Sequence, residues 1–218
     1  MLQEAEADPS FPEFDRQQVI DEMKQYLWAG TETTALTLAW SLYLLSMHPE
    51  VLERIRAEAR AVCGERDPEW NEVQHLTYTR MVIQETMRLF PPIWALIRIA
   101  AGDDEIGGHH IQAGDKVVIL AYVMHHSPKF WEDPEKFDPE RFAPERAKKR
   151  TKYTYLPFAA GKRACIGGAL SQIENTLALV QLLRRYSPKY TGPVPAKIHA
   201  TVTLCPKGGL PFRIRALS

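Results

Sequence analysis

The sequence lacks an excess of charge of either sign, since 27 Lys and Arg balance 27 Asp and Glu over 218 residues. Such a balance gives no support to a nucleic-acid surface, which would show a basic excess or patch. The densest basic run, Arg146 to Lys152, sits in a loop-like stretch and reads as solvated surface or as a docking patch. Cysteine is sparse. Cys63, Cys165 and Cys205 are odd in number and widely spaced, which fits neither a disulfide framework nor a zinc pattern, so a reducing cytoplasm is the expected setting. The acidic, Pro-containing start carries no basic region ahead of an apolar core, so no signal peptide is expected. No apolar run reaches the length of a membrane span, and there is no internal repeat. What is present is enough for a core: 45% of the residues are hydrophobic, which argues against wholesale disorder.

One stretch organises the rest, Phe158-Ala-Ala-Gly-Lys-Arg-Ala-Cys-Ile-Gly167. Gly161 and Gly167 permit a tight turn or the close approach of a bulky group. Downstream, Ile166, Leu170, Ile173, Leu177, Val180 and Leu183 recur at helical spacing, so a helix is expected over 166–186. Cys165 then lies at a helix N-terminus, where unpaired N–H groups and the dipole favour an anionic sulfur. Lys162 and Arg163 add positive charge. The residues describe a socket for a thiolate that ligates a metal or attacks a substrate. A nucleophile would need a histidine base, and no local motif places one. A metal thiolate needs only itself if a porphyrin supplies the equatorial ligands.

In chain order, 1–14 reads as a surface lead-in and Asp15 as the cap of a long helix over 15–47, ended by His48-Pro49. Leu27, Ala35, Leu38, Leu42 and Leu45 are its apolar positions. Its middle, Ala29-Gly30-Thr31-Glu32-Thr33-Thr34, is poor in helix formers; hydroxyls there compete for backbone carbonyls. This small-residue face suits close helix packing or a flat partner. A second helix runs from Pro49 to Val62, followed by a polar connector at 69–72. A third, over 79–90, carries Glu85 and Arg88 on one face, informative only if buried. Strands are expected at 93–100 and 116–123, with turns at 102–110 and 112–115. Arg98 lies in the first, facing solvent or reaching an anion. Pro128 to Arg146 reads as an ordered meander containing Arg141, and short strands are expected after Ser187. The adjacent His125 and His126 give little support to a two-histidine metal site.

Four patterns together resemble the cytochrome P450 family. Phe158-x-x-Gly161-x-Arg163-x-Cys165-x-Gly167 resembles its haem-ligand motif. Ala29-Gly30-x-Glu32-Thr33-Thr34 resembles its oxygen-activation motif. Glu85-x-x-Arg88 and Asp138-Pro-Glu-Arg141-Phe142 resemble the parts of its Glu–Arg–Arg network. The resemblance implies a mainly α fold with small β-sheets (α+β), haem b as cofactor and Cys165 as axial ligand of the haem iron. It implies Thr33 and Glu32 in proton delivery, and Arg98, Arg163 and His125 on the propionate side. Phe158 would lie near the sulfur, Gly161 and Gly167 would let the loop approach the ring, and Ala29 and Gly30 would cover the distal face. Substrate would touch Ala29, Ile93, Leu96, Ile97 and Val202. The implied reaction inserts one oxygen atom of O2 into an apolar small molecule, with electrons from a ferredoxin or flavoprotein reductase.

Members of that family are usually much longer, and this chain begins just before the central helix. A truncated chain is therefore expected, only the C-terminal haem-binding half of the cytochrome P450 fold, lacking an N-terminal half. It would be active, or an inactive haem-binding fragment, or one part of a split enzyme. A haem-free structural fragment and a cysteine hydrolase are the readings from other classes.

Overall fold

The computed structural model describes residues 16–217; the lead-in, the Asp15 cap and Ser218 lie outside the described residues. Helix α1 spans Arg16–Met47 and ends where Pro49 removes the next helical position. Only its C-terminal half joins the core, through Thr37, Trp40, Ser41, Tyr43, Leu44 and Leu45. The N-terminal half is exposed, so Leu27, expected to be an inward apolar position, stands 69% exposed beside Met23, Tyr26 and Trp28.

Helix α2, Pro49–Cys63, starts on its proline, where no N–H is needed, and buries Val51, Leu52, Ile55, Ala59 and Cys63 at helical spacing. It stops at Gly64, whose φ of +61° favours glycine. The expected connector at 69–72 is instead a 3₁₀ turn, Trp70–His75, closed by a capping box between Glu69 and Glu72. Helix α3, Thr77–Leu89, begins two residues earlier than its pattern predicts because Glu58 caps it. The Glu58 carboxylate accepts from the backbone N–H groups of Tyr78 and Thr79 at 2.6 and 2.9 Å.

Among the described residues, four two-stranded antiparallel sheets complete the fold. Strands β1 (Leu96–Ile99) and β4 (Lys116–Ile119) pair with Arg98 opposite Val117. The turn expected at 102–110 holds a hairpin, β2 (Asp104–Ile106) with β3 (His109–Ile111). The apolar run expected to continue as strand to 123 turns into α4, Ala121–His125. Within the meander the chain makes a 3₁₀ turn, Pro139–Phe142, and a short helix α5, Pro144–Ala147. Helix α6 covers Gly168–Arg185. Its apolar stripe does not start at Ile166: Ile166 and Leu170 are 88% and 59% exposed, and after the buried Gly168 the next buried positions are Asn175, Thr176 and Leu179. Strands β5 (Tyr186–Tyr190) and β8 (Phe212–Ala216) form one sheet, β6 (Ile198–Ala200) and β7 (Leu204–Pro206) another. The strand expected at 200–204 is broken by a bend at 201–203, its ends belonging to β6 and β7.

The core lies where α1, α2, α3 and α6 meet. Trp40 stacks on Phe90 with ring centroids 4.0 Å apart, and Tyr43 meets Tyr190 edge-on at 5.0 Å. These contacts join the central helix to the C-terminal strands.

Candidate functional site

The cysteine loop is built by its backbone. Ala159 and Gly161 adopt φ of 57° and 72°, a region that suits glycine and strains alanine. They throw the chain into a 3₁₀ turn, Gly161–Arg163. The Cys165 N–H then donates to the Phe158 carbonyl at 2.9 Å, and Ser171 donates to the Gly167 carbonyl as α6 begins. Cys165 is therefore carried at the N-terminal end of an 18-residue helix, and its thiol is free and exposed. Gly167 has ordinary φ, and a Cβ on it would sit 3.9 Å from the Cys165 sulfur. The glycine that close packing requires is the next one. A Cβ on Gly168 would lie 3.2 Å from the Phe158 ring, so Gly168 lets that aromatic lie against the helix start. The doubled glycine, Gly167-Gly168, was the signal for it.

On α1, Thr33 Oγ1 donates to the Ala29 carbonyl at 2.7 Å, and Thr31 and Thr37 bond back in the same way to Leu27 and Thr33. With its proton committed to Ala29, the Thr33 oxygen presents lone pairs and acts outward as an acceptor. Gly30 has nothing within 4 Å of where a Cβ would stand, so that face is open. Thr34 Oγ1 and Ser171 Oγ lie 3.2 Å apart. This bond ties α1 to α6 one residue past Thr33 and six past Cys165, bringing the two motifs to one side of the fold. Glu32 is held elsewhere: Thr203 Oγ1 donates to its Oε1 at 2.8 Å.

Arg98 and Arg163 are exposed. Arg98 Nη1 donates only to the carbonyl of its neighbour Ile97 at 2.9 Å, and neither arginine has a carboxylate partner among the described residues. Ile97 and Val202 are 60% and 68% exposed. Trp94 Nε1 donates to the Thr201 carbonyl at 2.8 Å and Leu204 N–H to the Pro92 carbonyl at 2.9 Å. The stretch with Ile93, Leu96 and Ile97 is thus brought beside Val202. Ala29 is exposed on the outer part of α1.

His125, expected on the propionate side, has a fully buried ring. Its Nε2 accepts from the Leu156 N–H at 2.9 Å and its carbonyl accepts from Arg88. Burial pulls its pKa down to about 3, so the ring is neutral.

Glu85 and Arg88 are fully buried. Arg88 Nε and Nη2 donate to the two Glu85 oxygens at 2.7 and 2.9 Å, the Asp138 N–H donates to Oε1 at 3.0 Å, and Arg141 Nε stands 3.4 Å away. Burial pushes the Glu85 carboxyl up, and Arg88, the Asp138 N–H and Arg141 pull against it. Donors aimed at both oxygens leave no acceptor for a carboxyl proton, so the group is a carboxylate at neutral pH. Arg88 also donates to the carbonyls of His125 and Lys136, and Arg141 to that of Asp133. This network pins the meander to α3. Arg150, expected among surface cations, lies over Phe142, Trp131 and Tyr155 at 4.3, 4.8 and 5.6 Å and donates to the Arg141 carbonyl. It packs the meander and is not free for docking.

Among the described residues no three or more His, Cys, Asp or Glu gather as a metal site. A haem fits the donor set better than a bare ion. One free thiol would be available to the iron, and two arginines without carboxylate partners would be available to the two carboxylates of haem.

A sequence model described as Cytochrome P450 matches residues 1–210. The chain belongs to the cytochrome P450 family. It is 39% identical over 181 residues to cyclooctat-9-en-7-ol 5-monooxygenase of Streptomyces melanosporofaciens, covering 83% of this chain and 39% of that protein. It is 39% identical over 193 residues to thromboxane-A synthase of Rattus norvegicus, covering 87% and 36%. Among solved structures, the heme domain of cytochrome P450DA superposes with a TM-score of 0.89 at 29% identity, over 96% of this chain and 47% of that one.

These matches overturn the expectation of a C-terminal half alone, and with it the description as truncated. The cytochrome P450 fold runs across nearly the whole chain, 1–210 in the family match and 96% in the superposition. The expectation rested on length, whereas a fold is defined by its contacts, and here α1, α2, α3 and α6 close a common core. As a separate fact, the chain spans about two fifths of the length of the curated relatives it matches.

Proposed function

We propose that this protein is a haem-thiolate monooxygenase that inserts one oxygen atom of O2 into an apolar small molecule, using electrons from a ferredoxin or flavoprotein reductase. The observation that carries the proposal is the free, exposed Cys165 thiol held at the start of α6. Bound haem b supplies the activation of O2 and the transfer of oxygen. The chain's own residues bind, orient and move protons. Cys165 ligates the iron, with Phe158 and Gly168 packed behind the loop. Arg98 and Arg163 bind the propionates. Ala29 and Gly30 leave the distal face open, and the Thr33 oxygen accepts a hydrogen bond there while its own proton stays on Ala29. Glu32 holds and passes protons from its bonded position. Ile93, Leu96, Ile97 and Val202 give the substrate an apolar wall, and Lys148, Lys149 and Lys162 offer exposed cations to an acidic electron donor.

The test is the spectrum of the haem-loaded chain reduced under carbon monoxide. The strongly red-shifted Soret band of thiolate ligation is expected, lost in Cys165→Ser and kept in Cys63→Ser. A wild-type band at the position of a neutral or nitrogen ligand would overturn the assignment.

A further inference from the structure

The C-terminal turn does more than wall a pocket. Thr203 is nearly fully buried and bonds to Glu32 across 171 positions of sequence. Cys205 Sγ stands 3.1 Å from Thr203 Oγ1 and 3.9 Å from Glu32 Oε1. A hydroxyl has one proton. With Thr203 giving its proton to the carboxylate, the thiol is left as a donor, to the Thr203 oxygen or directly to Glu32 Oε1.

The turn carrying Thr203 is itself fastened. The Thr201 carbonyl accepts from Trp94, the Leu204 carbonyl accepts from the buried Trp40 at 3.1 Å, and the Leu204 N–H donates to Pro92. Thr201 N–H closes the turn on the Thr203 carbonyl at 3.0 Å. A side chain fixed on a rigid turn holds its partner better than one on a mobile loop. Neighbouring Val202 is exposed while Thr203 is buried, so the two point apart and one turn serves both the apolar wall and the acid.

We propose that Thr203 is a positioning residue for Glu32, setting where the carboxylate stands for proton delivery, with Cys205 as the second donor in the chain. This rests on the monooxygenase reading only for the purpose of the proton. The hydrogen bond itself can be read without turnover.

Thr203→Val keeps the shape and removes the hydroxyl, and Thr203→Ser restores it. The first measurement is the ¹³C resonance of the Glu32 side-chain carboxyl in the purified chain, assigned by its loss in Glu32→Gln. It should move in Thr203→Val and return in Thr203→Ser, with melting temperatures showing that all variants fold. The second uses the haem-loaded chain with a ferredoxin donor and 7-ethoxycoumarin as apolar probe. Product formed per electron pair should fall about tenfold in Thr203→Val, below the full effect of a positioned acid, with peroxide rising to match and Thr203→Ser recovering. An unmoved carboxyl resonance in Thr203→Val overturns the bond. A moved resonance with unchanged product yield overturns the proton role. A wild-type chain that takes up no haem, or forms no product, overturns the functional reading and that role with it, while the resonance still decides the bond.

Discussion

Glu85→Gln isolates the energetics of the buried network, because it keeps the shape and removes the charge. The carboxylate receives two bonds from Arg88 and one from the Asp138 N–H, with Arg141 at 3.4 Å. After substitution two cations, one wholly buried and one nearly so, lose their counter-charge, and an amide NH2 is forced towards other donors. Removing one member of a buried ion pair costs about 3–5 kcal/mol. Domain stability totals about 5–15 kcal/mol, so a loss of roughly 4 kcal/mol leaves a thin margin. Urea unfolding followed by tryptophan fluorescence measures it, and Trp131, 5.1 Å from the Arg88 guanidinium, lies beside the break. Arg88→Met alone should cost a similar amount. The double variant Glu85→Gln with Arg88→Met should cost clearly less than the sum, since partners in contact are non-additive. A loss below about 1 kcal/mol for Glu85→Gln, the value of an exposed pair, would refute the view that this carboxylate pins the meander.

The depressed pKa of His125 makes acid stability readable. Its folded value near 3 lies below the ordinary 6.5, so the unfolded chain binds the extra proton and stability falls as pH drops through that window, by about 1.4 kcal/mol per unit at most. His125→Gln can keep an acceptor for Leu156 without titrating and should flatten that part of a urea-midpoint profile; an unchanged slope would assign the acid sensitivity elsewhere. Arg150→Ala should lose about 2 kcal/mol through its aromatic stack and its bond to Arg141. In the same unfolding assay, reversal of the exposed Lys148 and Lys149 should cost little. Gly168→Ala forces the Phe158 ring aside by a few tenths of an ångström and should lower the melting temperature, with Phe158→Leu relieving the clash; equal losses with and without that relief would contradict the close packing.

The candidate residues of the site could be picked out because chemistry demands particular side chains at short, local spacing. A thiolate between glycines, hydroxyls on one helical turn, and Glu and Arg three apart can be read without knowing where the chain goes. Helix starts were less legible: Glu58 caps α3 from another element, and Ile166 and Leu170 keep helical spacing where no core meets them. His125 shows the limit most clearly. As a type it suits a propionate, and only the closing of the meander over α3 buries it against Leu156.

By itself, the sequence singled out the cysteine loop, the Glu32 and Thr33 pair of the central helix and the members of the ionic network as candidates, because each is a local pattern. The tertiary structure alone decided that Arg150 packs on aromatic rings, that Gly168 makes room for Phe158, and that Thr203 holds Glu32. Those facts join residues brought together only when the core closes, and burial and hydrogen-bond geometry, unlike spacing, do not exist until it has.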